Sequence, residues 1–134
     1  MQPIHREATE RSPALLFDFE HHRLSLAGES YPEDAAAFFG PPLKAMAEYL
    51  DGLVDARVEL ELRMTYFNSS SAKALMNMFQ LLEHAASRGV STRVRWFFDP
   101  EDDAMQEFGE DFAEDFEHGE FELVPLPQGQ DISP

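Results

Sequence analysis

Between Val58 and Phe98 the chain changes its hydrophobic period from two to that of a helix and back to two, and this restricts the folds open to it. Val58, Leu60, Leu62, Met64 and Tyr66 alternate with Glu59, Glu61, Arg63 and Thr65, the pattern of a strand with one face buried. Ala72, Leu75, Met76, Phe79, Leu82 and Ala86 then recur at helical spacing and supply one apolar face. Arg88-Gly89 ends that helix, and Val94, Trp96 and Phe98 alternate with Arg93, Arg95 and Phe97 in a second strand. Strand, crossover helix and strand form a βαβ unit, whose two strands lie parallel with a right-handed connection.

The flanks extend this unit. Leu15, Phe17 and Phe19, then Leu24 and Leu26, alternate with polar positions around Glu20-His21-His22-Arg23, which predicts two antiparallel strands joined by a turn. Asp34 to Phe39 reads as a short helical segment interrupted by Gly40-Pro41-Pro42. A second helix then starts at the prolines, buries Leu43, Met46, Ala47 and Leu50, and stops at Gly52. Asp99-Pro100-Glu101-Asp102-Asp103 opens a further helix, since acidic residues suit the positive end of the helix dipole. Met105, Phe108, Phe112 and Phe116 should line its buried face as far as Gly119, with Gly109 either weakening the helix or permitting close packing. Phe121, Leu123 and Pro125 against Glu120, Glu122 and Val124 read as a last, edge strand. The expected fold is an α/β mixed sheet in the order ββαβαβαβ with helices packed on it. It occupies residues 14–126 as a single domain, between a flexible N-terminal arm over 1–13 and a flexible C-terminal tail over 127–134.

Charge and composition remove several functions. Asp and Glu number 26 against 10 Lys and Arg, a formal net charge of -16 that repels phosphate backbones and anionic membrane surfaces, so nucleic acid is not an expected partner. The absence of cysteine excludes disulfides, thiolate metal sites and cysteine catalysis. No apolar run approaches the roughly 18 residues of a spanning helix, and Met1 to Ser12 is polar rather than signal-like; the expectation is a cytoplasmic protein without membrane insertion. Asp99, Glu101, Asp103 and Glu110 fall at positions 1, 3, 5 and 12 of an EF-hand loop, but Ala104 stands where the sharp turn needs glycine. The five histidines have no ligand spacing and no glycine-rich phosphate loop occurs, so neither a metal nor a cofactor is expected.

The chemistry that remains sits where the central strand meets its helix, at Asn68-Ser69-Ser70-Ser71. Side-chain oxygens there can cap the free amides of the first helical turn. A nucleophilic serine would need a general base, an oxyanion hole and the Gly-x-Ser-x-Gly elbow; that pattern is missing, so no enzymatic activity is expected. A phosphate acceptor is better placed, because a helix start offers amides and a positive dipole end to an anion.

Three segments together resemble the SiaC-like regulatory phosphoproteins, a family similar to STAS-domain anti-sigma factor antagonists. They are Gly28-Glu29-Ser30-Tyr31-Pro32-Glu33, then Tyr66-Phe67-Asn68-Ser69-Ser70-Ser71-Ala72-Lys73, then Trp96-Phe97-Phe98-Asp99 with Asp102-Asp103, Met105, Glu107 and Gly109-Glu110. The resemblance spans Leu15 to Leu126 and implies a STAS-like fold. It implies reversible phosphorylation of the hydroxyl directly after the asparagine, Ser69, where the family commonly has threonine; Ser70 is the alternative acceptor. It further implies a partner-switching protein without activity of its own, cycled by a Ser/Thr protein kinase and a PP2C-type phosphatase. In some members the unmodified form binds and activates a diguanylate cyclase, which links the family to cyclic di-GMP signalling and biofilm. The partner-binding surface would comprise Tyr31, Asn68, Ser69, Ser70, Ser71 and Lys73, with Asn68 shaping the turn, Lys73 steadying the phosphate, and Ser70 and Ser71 capping the helix. The alternative is a constitutive acidic adaptor or antagonist that holds a basic partner, its serines serving only as caps.

Overall fold

The structure, a computed structural model, describes residues 1–127; apart from Pro127, the tail expected over 127–134 lies outside them. Six strands, β1 (Ile4–Arg6), β2 (Ala14–Asp18), β3 (Arg23–Ser30), β4 (Arg57–Phe67), β5 (Ser91–Phe98) and β6 (Glu120–Pro125), form one sheet in chain order. The first two pairings are antiparallel, and those from β3 to β6 are parallel. The parallel strands are joined by α1 (Ala35–Asp51), α2 (Ser69–Ser87) and α3 (Asp103–Ala113). Leu24, Leu26, Leu60, Leu62, Val94 and Trp96 project from one sheet face into a core shared with Phe39, Met46, Leu75, Phe79, Leu82 and Met105 of the three helices. The other face is left open. It carries Glu59, Glu61, Arg93 and Arg95 in cross-strand ion pairs, and Arg63 lies 4.1 Å over the Phe97 ring.

The order is therefore βββαβαβαβ, one strand more than the sequence pattern shows. Ile4 to Arg6, expected in a loose arm, pairs Ile4 with Phe17 and Arg6 with Leu15. Three residues are too few to display a period. The second difference has the same origin. α1 runs unbroken through Pro41 and Pro42, where a break was expected. Proline 42 has no N–H for the Phe38 carbonyl four residues back, and the Arg6 guanidinium takes that place, donating from Nη1 to Phe38 O at 2.6 Å. Gly40, without a Cβ, also avoids the clash that a residue before proline normally suffers in a helix.

β4 carries a third difference. The β3–β4 register pairs Gly28 with Met64 but Glu29 with Tyr66, so Thr65 is an extra residue in β4. Beyond the bulge the faces exchange: Tyr66, expected in the core, is 50 % exposed, and Phe67 is 7 % exposed in its place. In α3 the helix stops at Ala113 instead of reaching Gly119. Phe108, also expected inside, is 44 % exposed, because Gly109 is the residue pressed against the sheet. Trp96 fills the space over that glycine and donates its indole N–H to the Met105 carbonyl at 3.0 Å.

Candidate functional site at the start of the second helix

β3, β4 and β5 run parallel and finish at the same end of the sheet, and the three helices begin there with Asp34, Asn68 and Asp102 as their N-caps. The central start is built in two layers. Asn68 has extended backbone, and its Oδ1 accepts from the Ser71 amide at 2.9 Å. Its own amide donates to the Ser30 carbonyl at 3.1 Å, which carries the β3–β4 pairing one step past the strand end. Beneath it, Ser71 and Ser30 are both fully buried, with their hydroxyls 2.7 Å apart. The first turn of α2 is thus fastened to two strands before any exposed residue is considered.

The cap is therefore Asn68, and not Ser70 or Ser71. Ser71 has no exposed surface for a partner and stands apart from the binding set expected of it. Ser69 and Ser70 occupy the first two helical positions with exposed side chains, and their amides are the first-turn donors that neither Asn68 bond uses. No acidic residue lies in this turn. Lys73 is exposed four positions after Ser69, on the same side of the helix. Chemically the turn offers an accessible hydroxyl, two free N–H groups, a positive dipole end and one ammonium, a set suited to an anion.

Tyr31 reaches the site indirectly. Its ring meets Tyr66 edge to face at 5.8 Å, and the bulge at Thr65 is what turns Tyr66 outward to make that pair. Ser30 and Tyr66 are the two participants that sequence reasoning missed. Gly28 within a strand, at φ 108, was the available signal for the bulge.

The profile of the SiaC family regulatory phosphoproteins matches residues 6–126. The chain belongs to the SiaC family. An uncharacterized protein of Pseudomonas aeruginosa strain UCBPP-PA14 is 37 % identical over 116 residues, covering 86 % of this chain and 90 % of that protein. The crystal structure of apo-SiaC from Pseudomonas aeruginosa is 34 % identical with a TM-score of 0.85, over 92 % of this chain and 99 % of that one. SiaC in the crystal structure of the diguanylate cyclase SiaD with its activator SiaC, from the same organism, is 33 % identical with a TM-score of 0.84, over 90 % and 98 % of the two chains. The six-stranded mixed sheet with its three helices is accordingly the SiaC fold, and this SiaC-family chain is a regulatory phosphoprotein by family.

Proposed function

We propose that the chain is a non-enzymatic partner switch in which Ser69 is reversibly phosphorylated and the unmodified form binds a diguanylate cyclase. A Ser/Thr protein kinase transfers the γ-phosphoryl group of ATP to Ser69 Oγ, the hydroxyl proton passing to the kinase; a PP2C-type phosphatase returns the serine with water. The observation that carries this reading is the exposed Ser69 hydroxyl at the first position of α2, above a turn already held by Asn68 and by the Ser30–Ser71 pair. A phosphate there adds about -1.5 to -2 charges to the surface and requires no movement of the core. Asn68, Ser70, Lys73 and Tyr31 complete the partner surface. The likeness to SiaC in its complex with SiaD supports a cyclase as the effector. No helix among the described residues is long and apolar enough to cross a membrane, which suits work in the cytoplasm.

Intact-mass measurement and site mapping on protein from its own host test the acceptor. The added phosphate is expected on Ser69, and a map to Ser70 alone would move the acceptor by one residue. Ser69→Ala and Ser69→Asp should then differ in cyclase binding, and equal binding by both refutes the switch. A second reading, the constitutive acidic adaptor, is favoured by the stretch from Asp99 to Glu117, which has no lysine or arginine. It predicts a complex that weakens steeply with salt and ignores the Ser69 variants.

A further inference from the structure

Strands β3 to β6 pair in parallel, and parallel sheets are ordinarily covered on both faces. Here the three helices pack on one face, and the other is bare. Its charges follow a repeating order. The strand register lines up Arg23, Glu59, Arg93 and Glu120 in one row across the sheet: plus, minus, plus, minus. The next row continues with Glu61, Arg95 and Glu122, and beyond it Arg63 lies over the Phe97 ring. Arg57 and Glu29 complete the bare face of these four strands, which holds five arginines and five glutamates. It is therefore neutral on a chain of net charge -16. The remaining surface carries all of the excess negative charge and repels a second copy; this face does not.

The order of the rows is also self-complementary. A two-fold axis parallel to the strands and between β4 and β5 lays β4 of one copy on β5 of the other, and β3 on β6. It sets Arg23 on Glu120, Glu59 on Arg93, Glu61 on Arg95 and Arg63 on Phe97, each pair formed twice. The crossing of stacked sheets at about 30° displaces the outer pairs by about one residue and the inner pairs hardly at all. A two-fold axis across the strands, centred on the same rows, would instead set Glu59 on Glu61 and Arg93 on Arg95. The arginines also have donors to spare. Arg93 and Arg95 approach the carboxylates of their own sheet at 3.5–3.8 Å, longer than good hydrogen bonds, and Arg95 Nε is buried without a hydrogen-bond partner among the described residues.

We infer that a second copy of this chain docks sheet to sheet on the open face, β4 over β5 in both directions. Four strands 4.8 Å apart and about eight residues long give a footprint of roughly 500 Å² on each copy. The total of roughly 1,000 Å² stands at the threshold of a specific interface, so the dimer is a weak and reversible one. The helices lie on the far face, so the dimer leaves both Ser69 hydroxyls uncovered. The inference does not depend on the proposed switch.

Sedimentation equilibrium of the full-length chain, from micromolar to millimolar concentration, tests it, and a reversible monomer–dimer equilibrium is expected. Glu61→Arg and Arg95→Glu, each alone, place two like-charged pairs across the axis and should weaken the dimer at least tenfold. Mixed in equal amounts, the two variants should associate with each other to within about threefold of the wild-type affinity, because both pairs across the axis are again of opposite charge. Glu107→Arg on α3 makes the same change of charge away from this face and should stay within twofold. Circular dichroism confirms folding, and if either variant does not fold, Glu59→Arg and Arg93→Glu pose the same test in the neighbouring row. A wild-type chain that stays monomeric over the whole range overturns the inference. A dimer that both variants form as tightly as the wild type also overturns it, since the copies then meet by another surface. So does a loss that mixing fails to recover, because the changes then act within one sheet.

Discussion

Ser71→Ala removes half of the buried hydroxyl pair that anchors the first turn of α2. Ser30 and Ser71 are both 0 % exposed, and their oxygens are 2.7 Å apart, so neither hydroxyl has water as a substitute partner. Either single change to alanine strands the other hydroxyl, at a cost of about 1.5 kcal/mol within the usual 1–3 kcal/mol for a buried unsatisfied group. The double change removes both polar groups and leaves two methyls of nearly the same shape, so its cost should stay under about 1 kcal/mol. Two singles summing to about 3 kcal/mol against a double below 1 give a coupling of about 2 kcal/mol. Urea unfolding of the four proteins at pH 7, fitted with a common slope, measures it. Hydrogen exchange adds a local reading, since amides 69–73 should lose protection in Ser71→Ala before the sheet does. Additive costs within about 0.5 kcal/mol would refute the pair as a cooperative anchor.

Three other outcomes follow from the packing. Burial by itself would raise the Glu83 pKa, but the Gly119 amide, the His118 side chain and the amides of Glu117 and His118 hold it at about 2 instead of 4.5; its contribution is therefore complete above pH 4.5 and lost as pH falls through 2. Discounted for a side chain still 20 % exposed, Glu83→Gln should cost about 2 kcal/mol at pH 7 and less than half that at pH 3, and a pH-independent difference in urea midpoints refutes it. Gly109→Ala gains helix propensity of about 1 kcal/mol but places a Cβ 2.6 Å from Trp96 Cδ1, an overpacking of about 1–3 kcal/mol; a net loss with altered tryptophan fluorescence is expected, and a stabilised protein refutes it. Arg6→Met should cost about 1–2 kcal/mol in the wild type, yet far less in a Pro42→Ala background, where an amide at position 42 can reach the Phe38 carbonyl; equal costs in the two backgrounds refute the rescue.

The parallel core was legible because its signals are local: strict alternation in β4 and β5, and one apolar stripe on α2. What escaped was set by residues distant in sequence. Pro41-Pro42 reads as a helix break until Arg6, 32 positions before Phe38, supplies the missing donor. Tyr66 and Phe67 exchange faces because of a bulge defined by pairing with β3, so alternation within β4 could not show it. At the site, the run of hydroxyls was visible, but the expected division, with Ser70 and Ser71 as caps, differs from the one observed, in which Asn68 caps and Ser71 is buried. That division was in fact present in the pattern: Ser71 lies at helical spacing from Leu75, Met78 and Leu82, all buried, whereas Ser69 and Ser70 fall off that stripe. Ser30, 41 residues away, could be found only in three dimensions.

That division bears on whether a single phosphate is enough to switch a partner. A hundredfold change in affinity needs about 2.7 kcal/mol. One unit charge 4 Å from another is worth about 1 kcal/mol in bulk water and about 4 kcal/mol at the effective dielectric of a protein surface. On the proposed reading, a Ser69 phosphate of about -1.5 to -2 charges stands one helical turn from Lys73 and changes the charge that a docked partner meets, so the required energy is reached without refolding anything. The same charge on Ser71 would have to enter the core at a cost of several kcal/mol, and would unfold the mount before it could displace a partner. A switch in this fold therefore works best with one hydroxyl exposed at the helix start and its neighbour two residues on buried against β3, so that the surface changes charge while the turn beneath it stays fixed.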